Sequence, residues 1–173
     1  MADTNPPTNL ELSWDGRLMF TARESGHEWV LDGMNEAGPS PVAALASALA
    51  GCLAIDVVHI LTKGRFAVRS FTAHLLGRRA DGPPRRFMSI DLRLAIDTDA
   101  PRDQIDRAVA LSREKYCSVW HSLRQDIELT TSVVTPAPGS DPNRRPQSEE
   151  QRWARPRTGA RTSTGCGASV CCS

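Results

Sequence analysis

The 173-residue sequence has few aromatic side chains, no signal-peptide pattern in its first fifteen residues and little net charge. Aromatic residues make up 5% of the chain, so a core must be built from Ala, Leu, Val and Ile. The first fifteen residues lack both a basic start and an apolar run, which argues against a signal peptide and predicts a cytoplasmic protein. The formal net charge is +1, and residues 1–135 hold 15 basic and 17 acidic side chains. This balance argues against a nucleic-acid surface.

The five cysteines are distributed unevenly. Cys52 and Cys117 are the only two among the first 165 residues. In the cytosol, two distant cysteines are more often catalytic, redox-active or unpaired than joined in a permanent disulfide. The other three, Cys166, Cys171 and Cys172, lie near the C-terminus, where a metal site would need more ligands at regular spacing. We interpret them as incidental to that segment.

A single stretch, residues 38–64, dominates the sequence. Between Pro41 and Leu61 nearly every residue is apolar or small, which predicts a helix that is hydrophobic on all sides and therefore buried. Asp56 interrupts the apolar run after fifteen residues, so we expect the run to be too short to span a bilayer. The sequence therefore predicts a core helix with Cys52 near its centre, and no association with a membrane.

The ends of this helix carry their own signals. Ser40 is a predicted N-cap, and Pro41 suits the first helical position because it has no N–H to leave unpaired. Lys63 and Gly64 are predicted to close the helix, with Gly64 in the left-handed conformation.

The remaining stretches alternate between strand and helix signals. Before the central helix, three short strands are predicted, the first two separated by the Asp15-Gly16 turn. After it, a strand over 66–76 and a strand with Met88, Ile90, Leu92, Leu94 and Ile96 on one face should form a hairpin. A second helix follows, with Ile105, Ala108, Val109 and Ser112 on one face, then a short helix and a closing strand. The predicted fold is α/β (α+β) in the order βββα-ββα-β.

Domain boundaries follow from composition. Residues 1–9 are predicted to be a flexible leader and residues 10–135 a single domain. From residue 136 to 173, Arg, Pro, Gly and Ser predominate, and we expect disorder because too few apolar residues offset the entropy of folding.

Three segments resemble the OsmC/Ohr family of cysteine-based hydroperoxide reductases. They read GPSPVAALASALAGC followed by IDVVHILTKGR, then PPRRFMSIDLRLAI, then AVALSREKYCSVWHSL, and the resemblance covers about residues 10–135. It implies an intertwined homodimer in which two central helices are wrapped by curved sheets, with active sites at the subunit interface. A physical argument agrees: a sheet covers one side of the central helix, and a second subunit would cover the other.

The resemblance also implies a reaction. Cys52 would be the peroxidatic cysteine and Cys117 the resolving one, with an organic hydroperoxide as substrate and an external dithiol of the lipoyl or thioredoxin type as reductant. This chemistry requires no metal and no cofactor. Apolar walls around Cys52 would favour organic over hydrogen peroxide.

Family members activate the cysteine with an arginine from the N-terminal hairpin, held by a glutamate near the start of the cysteine helix. Arg17 is the candidate arginine, and the alternative is a solvated hairpin side chain. The glutamate is absent, since the first turn reads Val42, Ala43, Ala44. Two other functions therefore stay open: a different thiol reaction at Cys52, or a dimeric protein that binds a hydrophobic ligand and retains both cysteines for packing.

A rival arrangement lies within the central helix, where Cys52, Asp56 and His59 share one face. A cysteine hydrolase triad is disfavoured because Cys52 and His59 are about 10 Å apart along the axis. We expect Asp56 to receive a hydrogen bond or a salt bridge, with Arg78, Arg79 or Arg86 as the donor.

Overall fold

A computed structural model describes residues 7–134, which form two three-stranded sheets and a helical layer. The elements in chain order are β1 (Glu11–Gly16), β2 (Met19–Glu24), β3 (His27–Asp32), α1 (Pro41–Lys63), β4 (Val68–Arg79), β5 (Phe87–Thr98), α2 (Arg102–Leu111), a π-helical turn (Ser112–Tyr116), α3 (Ser118–Ser122) and β6 (Glu128–Val134). This confirms the predicted order. The predicted disordered segment, with Cys166, Cys171 and Cys172, and most of the predicted leader lie outside the described residues.

The N-terminal sheet is the predicted meander, with antiparallel pairing in the order β1-β2-β3. Its first turn lies later than predicted. A register shift between Trp14 and Gly16 extends β1 through Gly16, so the turn falls on Arg17 and Leu18. Arg17 adopts a left-handed conformation there, with φ 51°. The shift therefore places the candidate arginine at the tip of the hairpin.

The second sheet has the order β4-β5-β6, with β4 antiparallel and β6 parallel to β5. Parallel neighbours need a long crossover, and here it consists of α2, the π-turn and α3. The predicted alternation in β5 is confirmed at four positions, all buried: Ile90, Leu92, Leu94 and Ile96. Met88 is 44% exposed instead, and the buried Phe87 ring packs on the strand beside Gly77, next to the register shift at Arg78 and Arg79.

The ends of α1 agree with the sequence signals except at one residue. The Ser40 side chain accepts a hydrogen bond from the Ala43 N–H (3.3 Å), and Pro41 is the first helical residue. Gly64 is not left-handed, since its φ is −71°. Arg65 takes that conformation (φ 67°), and the following residue, Phe66, donates its N–H to the Leu61 carbonyl (3.0 Å). The helix thus closes one residue later than predicted.

Within one chain, α1 is buried along a single stripe rather than on all sides. The stripe consists of Leu49, Leu53, Val57 and Leu61, which join the core with β5 and α2. On the opposite side, Ile55 is 71% exposed. By length and composition the 23-residue helix also meets the criterion for a membrane span, as the core helices of soluble proteins often do, so the prediction that it is too short is wrong. The side of α1 that carries Ile55 thus leaves apolar surface exposed within one chain.

The second helix confirms its predicted face. Ile105, Ala108 and Val109 are buried, and Ser112, which follows α2 directly, is fully buried as well. A buried hydroxyl needs a hydrogen-bond partner. The partner of Ser112 lies on α1 and belongs to the candidate site.

Candidate active site

The fold brings the two cysteines of the domain together. Cys52 lies in the middle of α1 and is half-buried, while Cys117 directly precedes α3 and is fully buried. Both are free thiols, and their sulfur atoms lie within 4.8 Å of each other although 65 residues separate them in sequence. An S–S bond is about 2.05 Å long, so the two sulfur atoms must approach each other further before a disulfide can form.

Hydrogen bonds on both sides fix the position of Cys117. Its N–H donates to the Ser112 carbonyl five residues earlier (2.8 Å), which closes the π-helical turn. Its sulfur accepts the Trp120 N–H (3.4 Å) and so caps α3. Isolated π-turns of this kind are often found at functional sites. The local backbone therefore directs the Cys117 sulfur towards α1.

The surroundings of Cys117 keep it protonated. Burial raises the pKa of the Cys117 thiol to about 12, and a hydrogen bond to Cys52 and the negative charge of Asp56 act in the same direction. A group that stays a thiol at neutral pH can donate a hydrogen bond to a neighbouring thiolate. The site thus holds one sulfur firmly in the protonated form beside a second, more exposed sulfur.

Asp56 is the third member of the cluster, one turn after Cys52 on α1. Its Oδ2 atom accepts the hydroxyl of Ser112 (2.8 Å), so the predicted hydrogen bond is confirmed. Within one chain, the predicted donors Arg78, Arg79 and Arg86 do not bond Asp56. Arg86 pairs with Asp126 (3.1 Å), and Arg79 donates to the Arg85 carbonyl (2.6 Å). Ser112 takes their place because α2 packs directly on α1.

The sequence contained a signal for this contact. Ser112 is a polar residue on the otherwise apolar face of the second helix, and Asp56 is the sole acid in the central helix. Two isolated polar residues on packed apolar surfaces are candidates to bond each other, since each needs a partner. His59 is exposed and lines the same pocket as Asp56.

The same cluster has the donor set of a metal site. One ligand atom from each of Cys52, Asp56 and Cys117 lies within 4.8 Å of the other two. Cysteine sulfur and carboxylate oxygen are donor types that a borderline ion such as Zn²⁺ accepts. The absence of a metal from the function stays a prediction, and assays of the thiols should contain a chelator.

Arg17 has a carboxylate partner that the sequence analysis missed. Its Nη1 atom lies 3.2 Å from Oε2 of Glu36, and both side chains are largely exposed. The first turn of α1 lacks an acid, as predicted, but Glu36 lies four residues before the N-cap. Glu36 is the only acidic residue in the loop between β3 and α1, and this could have identified it in the sequence as a partner for Arg17. Within one chain, the acidic groups near Arg17 include Glu36 and Asp32 of the N-terminal part of the protein.

Asp32 holds the loop that carries Glu36. Its carboxylate is almost fully buried and accepts the N–H groups of Met34 (2.8 Å), Glu36 (2.9 Å) and Ala37 (2.9 Å). These hydrogen bonds, above all that from Ala37, hold the pKa of Asp32 below its usual value. The ionised carboxylate therefore stabilises the loop conformation.

We expect Asp32→Asn to lower the thermal unfolding midpoint at pH 7, because an amide cannot accept three N–H groups. Folding lowers the pKa of Asp32, so the stability difference between the wild type and Asp32→Asn is largest above about pH 3.9, the pKa of aspartate in an unfolded chain. This difference should shrink as the pH falls through the lower pKa of Asp32 in the folded protein. Circular dichroism melts between pH 7 and 2.5 test this, with Asp81→Asn in the exposed β4–β5 turn as control. An equal difference at every pH would contradict it.

Comparison with known proteins supports the resemblance seen in the sequence. Residues 33–132 match the family model for OsmC-like proteins. Protein YhfA of Escherichia coli K12 is 38% identical over 124 residues, which cover 70% of this chain and 92% of that protein.

Two crystal structures extend the similarity to the fold. A hypothetical protein from Aquifex aeolicus VF5 has a TM-score of 0.67 at 25% identity, over 76% of this chain and 99% of its own. An organic hydroperoxide resistance protein OsmC from Legionella pneumophila has a TM-score of 0.59 at 16% identity, over the same shares. At that identity the second likeness concerns the fold alone. From the family match and the YhfA identity together, this chain belongs to the family of OsmC-like proteins.

Proposed function

We propose that this protein is a thiol-dependent peroxidase that reduces organic hydroperoxides with Cys52 and Cys117. The observation that carries the proposal is the meeting of the two sulfur atoms within 4.8 Å, one of them held as a thiol. Family context supports it, since some proteins of this fold are described as organic hydroperoxide resistance proteins. The geometry suits a cycle in which one sulfur is oxidised and the other resolves it.

The cycle has three balanced steps. The Cys52 thiolate attacks the O–O bond of the hydroperoxide, which yields Cys52 sulfenic acid and, with one proton, an alcohol. The Cys117 thiol then attacks the sulfenic sulfur, a disulfide forms and water leaves. An external dithiol, of the lipoyl or thioredoxin type, reduces the disulfide by exchange and becomes oxidised itself.

The surroundings of Cys52 favour an organic substrate. The residue packs against the apolar core cluster, and the α1 surface beside it is apolar. An alkyl group gains free energy when it leaves water for such a surface, whereas hydrogen peroxide does not. We therefore propose an organic hydroperoxide as the substrate.

Arg17 is the proposed activating group, with Glu36 as its orienting partner in place of the absent helix-start glutamate. A cation beside a thiol favours the thiolate form. The Arg17 side chain is 72% exposed at the tip of the hairpin, so it is free to contact a neighbouring surface while Glu36 holds it. Because the hairpin belongs to the N-terminal sheet, this role depends on how two chains assemble.

The proposed assembly is a homodimer, and the uncovered side of α1 is the first argument. Ala48, Gly51 and Ile55 lie on this side at helical spacing, and Ile55 is 71% exposed. A Cβ atom added to Gly51 would meet nothing within 4 Å, so the helix surface is open there. Small residues around a larger apolar one permit the close approach of another helix.

The N-terminal sheet provides the second argument. Its register pairs Trp14 with Phe20 and Leu12 with Ala22, so these side chains share one face. Trp14 is 67% and Leu12 51% exposed. Monomeric proteins rarely leave a contiguous apolar surface of this kind in water. A second copy of the chain offers both an apolar helix and an apolar sheet, and the two copies can cover each other.

Mass spectrometry after one equivalent of cumene hydroperoxide tests the proposed function. The full chain is used with Cys166, Cys171 and Cys172 replaced by serine and with a chelator present. We expect the loss of two hydrogens, mapped to a peptide pair joined through Cys52 and Cys117. Unchanged thiols would contradict the peroxidase and favour a protein that binds a hydrophobic ligand between its subunits.

A further inference from the structure

We propose that Asp56 accepts the proton of Cys117 when Cys117 attacks the sulfenic acid of Cys52. This inference rests on the proposed peroxidase cycle and assigns its second step a proton acceptor. Asp56 thereby becomes a third participant in the reaction, beside the two cysteines.

Ser112 holds Asp56 in position, and it forms hydrogen bonds to both Asp56 and Cys117. The Ser112 hydroxyl donates to Oδ2 of Asp56 (2.8 Å), and the Ser112 carbonyl accepts the Cys117 N–H (2.8 Å). One buried residue thus links the carboxylate on α1 to the backbone of Cys117. A carboxylate oxygen of Asp56 lies within 4.8 Å of the Cys117 sulfur, a distance that a side-chain rotation or one water molecule can bridge.

The second step needs such an acceptor. Cys117 is fully buried, and burial raises its pKa to about 12, so the thiol form predominates at pH 7. When the neutral Cys117 thiol attacks, the S–S bond forms and the S–O bond of the Cys52 sulfenic acid breaks. Cys117 must lose its proton during this step. In the proposed step the proton of Cys117 passes to Asp56, the departing oxygen leaves as hydroxide, and Asp56 returns the proton to that hydroxide, which completes the water molecule and restores the carboxylate. Two sulfur atoms, one oxygen and two protons are accounted for.

Asp56 also connects the buried thiol to a more open region. It lines a pocket of about 330 Å³ together with His59, Ile60, Lys63 and Tyr116. The titratable groups around Asp56 are thus Cys52, His59 and Lys63 from α1, Tyr116 from the π-turn and Cys117 from the start of α3. The water formed from the departing hydroxide and the proton of Cys117 can leave through the pocket without crossing the core.

The test is the rate of disulfide formation, measured by itself after hydroperoxide has oxidised Cys52. In Asp56→Asn the amide still accepts the Ser112 hydroxyl but cannot take a proton. We expect the step to slow about a hundredfold at pH 7, as for other lost general bases, and dimedone to trap sulfenic acid that the wild type does not accumulate. The rate in the variant should rise about tenfold per pH unit above pH 7, because only the Cys117 thiolate remains reactive. The wild-type rate should depend on pH far less.

Two further variants complete the experiment. Asp106→Asn, on the exposed side of α2, should leave the rate and its pH profile unchanged. Ser112→Ala keeps the Asp56 carboxylate but removes the hydroxyl that donates to it. This variant should therefore slow disulfide formation severalfold without the steep pH dependence. It replaces Asp56→Asn in the experiment if that variant does not fold. If Asp56→Asn shows the rate and pH profile of the wild type, the inference is overturned and the peroxidase remains intact. If Asp56→Asn does not fold, the same result in Ser112→Ala overturns the inference. A wild type that forms neither sulfenic acid nor disulfide would overturn the peroxidase itself.

Discussion

Cys52→Ser is expected to reduce hydroperoxide consumption to background, a loss of at least about a thousandfold. The serine hydroxyl is a far weaker nucleophile than a thiolate and forms no sulfenic acid, so the variant retains neither chemical step. Consumption of cumene hydroperoxide in the presence of dihydrolipoamide provides the measurement. The effect should fall on kcat and kcat/KM together, because the lost group acts only in the reaction.

Cys117→Ser distinguishes the two roles. This variant should still consume about one equivalent of hydroperoxide per site, because the first step requires only Cys52. Dimedone should then label Cys52, and further turnover with the dithiol should slow sharply. Cys171→Ser serves as a control that lies outside the domain. Full turnover by Cys52→Ser would exclude the proposed cycle, whereas full turnover by Cys117→Ser would remove Cys117 from it.

Ile55→Arg should disrupt the homodimer. In a single chain Ile55 is 71% exposed, so arginine there would be harmless to a monomer. In the proposed dimer the same change would bury an unpaired charge between two helices, at a cost of about 3 kcal/mol or more. That cost weakens association at least about a hundredfold. Sedimentation of the wild type and the variant across a range of concentrations measures the difference.

Ala110→Arg is the matched control for this change. Ala110 lies on the exposed side of α2 among charged neighbours that include Arg102, Asp106 and Glu114. Such a surface is expected to stay in water, so a new arginine should change neither association nor melting temperature. A monomeric wild type, or a variant Ile55→Arg that associates as strongly as the wild type, would contradict the role of α1 in a dimer.

Much of the fold could be predicted from local patterns. The alternation in β5, the Ser40-Pro41 start of α1 and the apolar face of α2 each depend on residues close in sequence. The errors arose where the pattern depends on neighbours outside the segment. The first hairpin turn moved because β1 contains a register shift, and Met88 is exposed because Phe87 occupies the core side beside Gly77.

The candidate site was less accessible from sequence. The pairing of Cys52 with Cys117 came from a family resemblance, since no local rule joins residues 65 positions apart. The contact between Asp56 and Ser112 spans 56 positions and depends on how α2 packs on α1. One of three arginines was expected to bond Asp56, yet within one chain the nearby Ser112 hydroxyl donates to the carboxylate. Long-range packing, rather than composition, decides such contacts.

The crossover between β5 and β6 has a consequence for the order of folding. Cys117 lies on this crossover, and parallel strands pair only after the intervening chain has closed a large loop. Contacts of such sequence separation form late and slowly. During synthesis Cys52 is therefore made well before its partner can reach it. In the proposed cycle the Cys52–Cys117 disulfide can form only after this contact is made, so a chain that meets an oxidant before then would be oxidised at Cys52 alone.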